Sequence, residues 1–316
     1  MDKVLVCGAS GFIGHHLAKY LKNKGFYVIG VDIQRLNYKD CVNEFHKIDL
    51  TNRKNCLKIT RGVKEIYQLA AQMGGMGFIA TEHLASLNDS NLINTYMAET
   101  AYLNKVDRIF FSSSVCVYPV GLINKGKKVK ERDSYPAEPN EAYGWEKLTA
   151  EKRYFAYQKE RGLKVRIARF DNTYGPECIF EGGREKAPAA LCRKIALAEQ
   201  KDKVEVWGNG RATRHFTYID DLVEGIEKLM HSDCDTPINL GSDELVTINQ
   251  LAKIIINIAN KDLKIKNIPN KLVGARNRKI NHNKAKKLLG WKTKTTLKEG
   301  LTKTYEWVWQ QTHPIK

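Results

Sequence analysis

The chain has 316 residues, of which 42% are hydrophobic, 9% aromatic and 28% charged. That length suits one large or two unequal domains, and the apolar content excludes disorder, a collagen-like repeat and a small disulfide scaffold. The formal charge of +17 is concentrated toward the end, where residues 261–316 hold 15 Lys or Arg against 3 Asp or Glu. Such an excess suits a phosphorylated ligand or a nucleic acid, and equally a solvated lysine-rich surface.

No apolar run reaches the roughly 18 residues of a spanning helix, and the start Met1-Asp-Lys-Val lacks the order of a signal peptide. A cytosolic protein without a membrane segment is expected. The seven cysteines, Cys7, Cys41, Cys56, Cys116, Cys178, Cys192 and Cys234, are odd in number and scattered. None is spaced as Cys-x-x-Cys or beside paired histidines, so neither a disulfide framework nor a zinc site is expected.

The first element is an apolar run from Lys3 that stops at glycine and resumes at helical spacing through Ile13, Leu17 and Leu21, which predicts strand, tight turn and helix. A second run, Phe26 to Val31, ends in Asp32, and a short third unit spans Glu44 to Leu50. Further buried strands are predicted over 65–70, 108–112 and 164–170, with helical segments between them. Strands alternating with helices imply right-handed crossovers and an α/β fold, a doubly wound parallel sheet of Rossmann type. After about Asn172 the alternation lapses into Gly- and Pro-containing loops, with helices over 188–199 and 248–260. A smaller α/β domain for substrate is expected from about 172–213 and 239–316, and the dinucleotide-binding domain from 1–171 and about 214–238.

Gly8-Ala-Ser-Gly11-Phe12-Ile13-Gly14 has G-x-x-G-x-x-G spacing after a strand and at a helix start. Glycines there permit the turn and let backbone N–H groups approach a pyrophosphate at the positive end of the helix dipole; the alternative is a plain turn. Asp32, ending the next strand, can accept both ribose hydroxyls and repels a 2'-phosphate, favouring NAD over NADP, although Arg35 lies close by. Asp49 either bonds the adenine amino group or caps a helix.

Tyr143-Gly-Trp-Glu-Lys147 places a phenol and an ammonium at i and i+4, on one helix face. The ammonium can draw the phenol's pKa down and make Tyr143 a base. Ser112-Ser113-Ser114-Val-Cys116-Val-Tyr118-Pro119, about 30 residues earlier, ends a strand and supplies a serine for the reacting oxygen. If that segment stays extended, Ser114 and Cys116 point to the same side. Cys116 by itself also reads as a small buried hydrophobe, and Lys186 by itself as a surface lysine. Gly182, Gly183 and Pro188 around that lysine suggest a shaped loop.

With these segments the chain resembles the extended short-chain dehydrogenase/reductase superfamily, NAD-dependent enzymes of nucleotide-sugar chemistry. The resemblance makes Ser114, Tyr143 and Lys147 catalytic, with Tyr143 and Lys147 also at the cofactor. In more detail the chain is similar to the GDP-mannose 3,5-epimerase family in Ala70-Ala-Gln-Met-Gly74-Gly75-Met76-Gly-Phe78, Tyr135-Pro-Ala-Glu-Pro139, Gly182-Gly-Arg-Glu-Lys-Ala-Pro-Ala-Ala190, Trp207-Gly-Asn-Gly and Thr213-Arg-His-Phe-Thr-Tyr-Ile-Asp220.

That likeness implies epimerisation of a GDP-hexose at C3 and C5 through a transient 4-ketone, with Cys116 and Lys186 as the acid/base pair. It places Ala70 at the cofactor. Gly74, Gly75, Met76, Asn172, Lys186, Trp207, Arg214 and Arg276 fall at the substrate, with Lys194 and Arg278 the weaker candidates. It also implies a homodimer. The chain departs from the family at Asp171, where a histidine is usual, at Gln72, where an aspartate is usual, and in a shortened lysine-rich stretch between Pro119 and Glu131. If those positions touch the hexose, a GDP-linked heptose or deoxysugar becomes the alternative substrate. A dehydratase fits poorly, since residue 116 is not acidic. A different class of protein, one that has lost catalysis and binds nucleic acid through its basic end, predicts decay of the catalytic set, and that set is complete.

Overall fold

The computed structural model describes residues 1–139, 141–269 and 274–314, apart from the side chains of Lys39 and Met76. β1 (Lys3–Cys7) is buried after its first residue, as a strand covered on both faces must be. Val4 and Val6 pack in one core with Leu17 and Leu21 of the helix Phe12–Asn23 and with Leu222 and Ile226 of the helix Ile219–Met230. Leu5 and Cys7 point the other way, into a second core with Met97 of the helix Asn91–Leu103 and Tyr154 of the helix Ala142–Arg161. The period of two along one strand thus separates two helical layers.

In chain order follow β2 (Tyr27–Asp32), β3 (Glu44–Lys47), β4 (Glu65–Gln68), β5 (Arg108–Ser114), β6 (Lys128–Val129), β7 (Lys164–Phe170), β8 (Asn172–Tyr174), β9 (Lys203–Trp207), β10 (Thr213–Tyr218), β11 (Ile238–Leu240), β12 (Leu245–Thr247), β13 (Lys264–Ile268) and β14 (Lys279–Ile280). Seven of them form one sheet in the order β11-β7-β5-β4-β1-β2-β3, and every pairing in it is parallel. The strand order reverses between β1 and β4, which opens a crevice at the carboxyl ends of the strands. The fold is therefore the expected doubly wound α/β sheet.

The remaining strands are small. β8, β10 and β12 form a three-stranded sheet, and β9 pairs with β13, β6 with β14. Two details depart from the expected boundaries. β10 joins β8 and β12 rather than the large sheet, and β11 is the edge strand of the large sheet, so the boundary expected near 238 falls inside it. The reason is register: Ile238, Asn239 and Leu240 pair with Ala168, Arg169 and Phe170, and a three-residue strand gives too little pattern to be read in advance. The helices Ala187–Leu197 and Ile248–Ala259 lie where expected, the second capped by Thr247 and Gln250 in a reciprocal box. Among the described residues no helix is long and apolar enough to cross a membrane.

Candidate active site

A cavity of about 640 Å³ opens at the carboxyl ends of the strands, lined by residues of the Gly8–Gly14 turn, Asp32, Asp49, Ala70, Gly74, Ser114, Tyr143, Lys147 and Lys186 among others. Its floor at one end is the glycine turn. Gly8 has φ +78°, and a Cβ on Gly14 would run into the Gly8 carbonyl, so the strand and the helix can approach only with glycine at both places. Gly11 is the N-cap of the helix Phe12–Asn23, whose first turn carries no acidic side chain. The Asp32 carboxylate closes this end: Oδ2 accepts from Ser10 N at 3.0 Å and Oδ1 from Gln34 N at 2.9 Å. Asp49 is exposed and accepts from Thr51 N at 2.8 Å, while the helix cap is Asn52, which accepts from Lys54 N. A backbone cradle at a helix N-terminus beside an acceptor carboxylate fits the diphosphate and ribose of NAD.

Tyr143 sits in the first turn of Ala142–Arg161, and both it and Lys147 are buried. The Lys147 ammonium lies 4.8 Å from the Phe111 ring centroid, 5.6 Å from that of Tyr143 and 3.8 Å from Glu146 Oε2. Glu146 is held in turn: Asn94 Nδ2 donates to its Oε1 at 2.7 Å, and Gln68 Nε2 donates to Asn94 Oδ1 at 3.0 Å. This buried chain from β4 to the lysine had no motif to announce it. Burial pushes the Tyr143 phenol well above its usual range; the charges of Cys116 and Glu146 add to this, and a hydrogen bond with Ser114 and the charge of Arg278 oppose it. The expected downward pull on the phenol thus comes first from Ser114 and Arg278. Burial pushes Lys147 down, against the opposing effects of Glu146 and Glu151.

The extended geometry expected for residues 114–116 is not adopted. β5 ends at Ser114, and Val115–Val117 is a 3₁₀ turn capped by the Ser114 hydroxyl, which accepts from Cys116 N at 3.2 Å. Strand alternation therefore does not place the Cys116 thiol. The thiol nevertheless lies within electrostatic reach of Lys186, Tyr143 and Arg214, although Cys116 is not among the residues lining the cavity, which include Ser114, Tyr143 and Lys186. Gly144 makes the approach possible, because a Cβ there would strike the Cys116 carbonyl.

Lys186 is the N-cap residue of Ala187–Leu197, with Pro188 in the first turn. Its chain enters through Gly182 and Gly183 at φ +86° and +85°, conformations that favour glycine. Burial pushes its ammonium down, with Cys116 opposing. Gly75 fastens this loop from the other side: its N–H donates to the Arg184 carbonyl at 2.9 Å, and a Cβ on it would meet the Glu185 carbonyl. Of the glycine pair, then, Gly74 lines the cavity and Gly75 packs against residues 184–185. Met76 begins the helix Met76–Thr81, and its side chain lies outside the described residues. Arg184, passed over in the sequence, lines the cavity with its guanidinium 4.2 Å from the Phe78 ring centroid.

The expected anchoring residues divide. Arg214 is buried, and burial together with Arg278 pushes it down to about 9, still charged at neutrality. Arg278 acts by its charge on both Arg214 and Tyr143, whereas Arg276 is exposed. Asn172 Nδ2 donates to the His215 carbonyl at 3.1 Å. Lys194 Nζ donates to the Glu205 carbonyl at 2.9 Å and sits 5.9 Å from the half-exposed Trp207 ring. Neither this pair nor Asn172, Arg214 and Arg276 line the cavity itself.

Of the three departures in the sequence, Asp171 and Gln72 line the cavity and are also bonded within the protein. Asp171 Oδ2 is 2.7 Å from His282 Nε2 with both side chains buried. Gln72 Nε2 donates to Asp89 Oδ2 at 3.3 Å.

The parallel sheet, the glycine cradle and a buried Ser-Tyr-Lys set define a nucleotide-cofactor enzyme. The NAD dependent epimerase/dehydratase family matches residues 4–241, and the chain belongs to that family; its cofactor is NAD. A GDP-mannose 3,5-epimerase of Arabidopsis thaliana is 43% identical over 314 residues, 98% of this chain and 82% of that one. Among solved structures, UDP-glucose 4-epimerase with UDP-glucose from Thermotoga maritima superposes with a TM-score of 0.87 at 26% identity, covering 98% of this chain and 100% of that one. MoeE5 in complex with UDP-glucuronic acid and NAD superposes with a TM-score of 0.84 at 25% identity, covering 98% and 100%.

Proposed function

We propose that this enzyme epimerises a GDP-hexose at C3 and C5, converting GDP-D-mannose to GDP-L-galactose, with GDP-L-gulose where C5 alone inverts. The observation that carries the reading is the convergence of Lys186 and Cys116, 70 positions apart, beside a Tyr143 that is hydrogen-bonded to Ser114. The 43% identity to a GDP-mannose 3,5-epimerase supports the choice of substrate. Asp171 and Gln72 line the cavity, each also bonded within the protein, to His282 and Asp89, and a GDP-linked heptose or deoxysugar is the alternative substrate that these two positions favour.

Gly8, Gly11, Phe12, Ile13, Gly14, Asp32, Asp49 and Ala70 would hold NAD, with Tyr143 and Lys147 at its nicotinamide end. When bound, NAD supplies a reversible hydride acceptor. Tyr143 takes the O4 proton as C4 is oxidised, acting as the phenolate that Ser114 and Arg278 favour against burial, and the resulting 4-ketone acidifies the protons at C5 and C3. One of Cys116 and Lys186 removes each proton from one face and the other returns a proton to the opposite face. The lowered basicity of buried Lys186 brings it toward the pH at which a base both takes and gives a proton. Ser114 and Tyr143 hold the charge developing on O4, and Tyr143 gives its proton back when the ketone is reduced. Arg214 and Arg278 bind the diphosphate, with Asn172, Lys194, Trp207 and Arg276 at the nucleotide.

On this reading residues through β7, together with the helix Ile219–Met230 and β11, form the cofactor-binding part, and the rest receives the sugar nucleotide. The exposed Leu84, Leu87, Leu92, Tyr102 and Leu103 offer an apolar face for a homodimer working in the cytosol. Incubation of NAD-loaded enzyme with GDP-D-mannose in deuterated water is expected to place deuterium at C5 and C3, read by NMR and mass spectrometry. Absence of label at both carbons from active protein would remove the assignment.

A further inference from the structure

Away from the cavity, three ligand-bearing side chains meet where the helix Phe12–Asn23 begins. His15 Nε2 lies 2.9 Å from Glu177 Oε2, and His16 Nε2 lies 3.8 Å from the same oxygen and 3.2 Å from the Pro176 carbonyl oxygen. One ligand atom from each of the three side chains falls within 4.8 Å of the others. A tetrahedral ion with ligands at about 2.0–2.1 Å has ligand–ligand edges of about 3.3 Å, and the separations of 2.9, 3.2 and 3.8 Å bracket that value.

The two contacts of the His15 ring add to this geometry. Its Nδ1 is 3.0 Å from the Gly11 carbonyl, which can only accept, and this contact fixes the tautomer whose Nε2 carries a lone pair. That lone pair then faces a carboxylate oxygen at 2.9 Å. The other tautomer moves the conflict to the Gly11 carbonyl. A second ring proton would satisfy both contacts, and so would a divalent cation between Nε2 and Glu177, which needs no charge on the ring.

We propose that His15, His16 and Glu177, with the Pro176 carbonyl as fourth ligand, bind a zinc ion. Imidazole and carboxylate donors at this spacing suit zinc. Side-chain exposures of 14% at His16 and 27% at Glu177 leave an entry path, while Tyr38 stacks on His15 with ring centroids 4.3 Å apart and walls the inner side. The ion would fasten the start of the cofactor helix to the segment that runs from Glu177 to Lys186. Its role is structural, and its existence is independent of which sugar the enzyme handles.

Purified chain stripped with a chelator is titrated with zinc by calorimetry and with cobalt(II) by visible absorption. One equivalent of each is expected to bind, cobalt with the intense bands of a tetrahedral site. Affinity is expected to fall at least tenfold in His16→Ala and in Glu177→Gln, with circular dichroism and NAD binding checking that each variant folds. Failure of the wild type to take up one saturable equivalent overturns the site, as does equal affinity in wild type and both folded variants. Should a variant not fold, X-ray absorption of the zinc-loaded wild type decides: two imidazoles and oxygen ligands are expected, and sulfur ligation or an all-oxygen shell overturns the proposal.

Discussion

The Asp171 carboxylate and the His282 imidazole face each other at 2.7 Å at the wall of the cavity, which Asp171 lines, with side-chain exposures of 0% and 2%. Gly241 must lack a side chain for them to meet, since a Cβ there would collide with both. Asp243 lies 3.4 Å from the other ring nitrogen and also pairs with Lys286. A carboxylate at residue 171 therefore comes with its own cation, and the pair belongs to the framework between β7 and the segment after β14.

That pairing makes stability depend on pH in a particular direction. Burial disfavours the charged imidazole, but its hydrogen bonds and attraction to Asp171 and Asp243 win, raising His282 to about 9. A raised folded-state pKa gives stability that is complete below the unfolded value near 6.5 and disappears as pH climbs through 9. The loss is on the order of 3 kcal/mol. Urea midpoints for the wild type should fall between pH 6.5 and 9 while those of His282→Ala, lower throughout, stay flatter over that window. A wild-type midpoint that holds steady to pH 10 would contradict the charge assignment.

Gly144→Ala tests the seam between the helix Ala142–Arg161 and the turn after β5. The added methyl would strike the Cys116 backbone carbonyl, which cannot rotate away as a side chain could. The helix must back off by some tenths of an ångström, at a cost of about 1–3 kcal/mol, and both Tyr143 and Cys116 move with it. Turnover is expected to drop at least tenfold with NAD affinity nearly intact, measured by steady-state kinetics and fluorescence titration. Unchanged kcat would mean that the helix position is not critical.

The contrast between what the sequence made legible and what it did not follows from range. β1, the Gly8–Gly14 turn and Asp32 could be read because strand, turn and helix are contiguous and their periodicity is local. Tyr143 and Lys147 share a helix face for the same reason. The Cys116 geometry was misread because a serine hydroxyl capping a 3₁₀ turn leaves no trace in the apolar pattern around Val115 and Val117. Gln68, Asn94 and Glu146 stayed hidden, since their hydrogen bonds join β4 to two helices 26 and 52 positions apart. Arg184 and Gly75 pair only once the loop folds back, and the His15–Glu177 contact spans 162 positions.

Gly75→Ala probes that loop contact. The substitution pushes on the Glu185 carbonyl, next to Lys186, and weakens the Gly75 N–H bond to Arg184. Since Gly75 does not line the cavity near the glycine turn, NAD affinity should be unchanged while KM for the nucleotide sugar rises severalfold and kcat falls. A matching loss of NAD affinity would instead indicate general unfolding, which thermal denaturation would detect.

On the proposed mechanism, Cys116→Ser and Lys186→Met separate the proton-moving steps from the redox step. Serine keeps the shape of the cysteine side chain but not its acidity, and methionine keeps the length of lysine but cannot carry a proton. Neither residue belongs to the glycine cradle or to the Asn94–Glu146–Lys147 chain, so NAD binding and oxidation at C4 should survive in both. Deuterium incorporation at C3 and C5 should fall by about 10²–10⁴-fold, the usual worth of a positioned acid or base. The two losses should not add in the double variant, because either one already breaks the relay. Full exchange in either single variant would mean that the inversion is carried by another pair of groups.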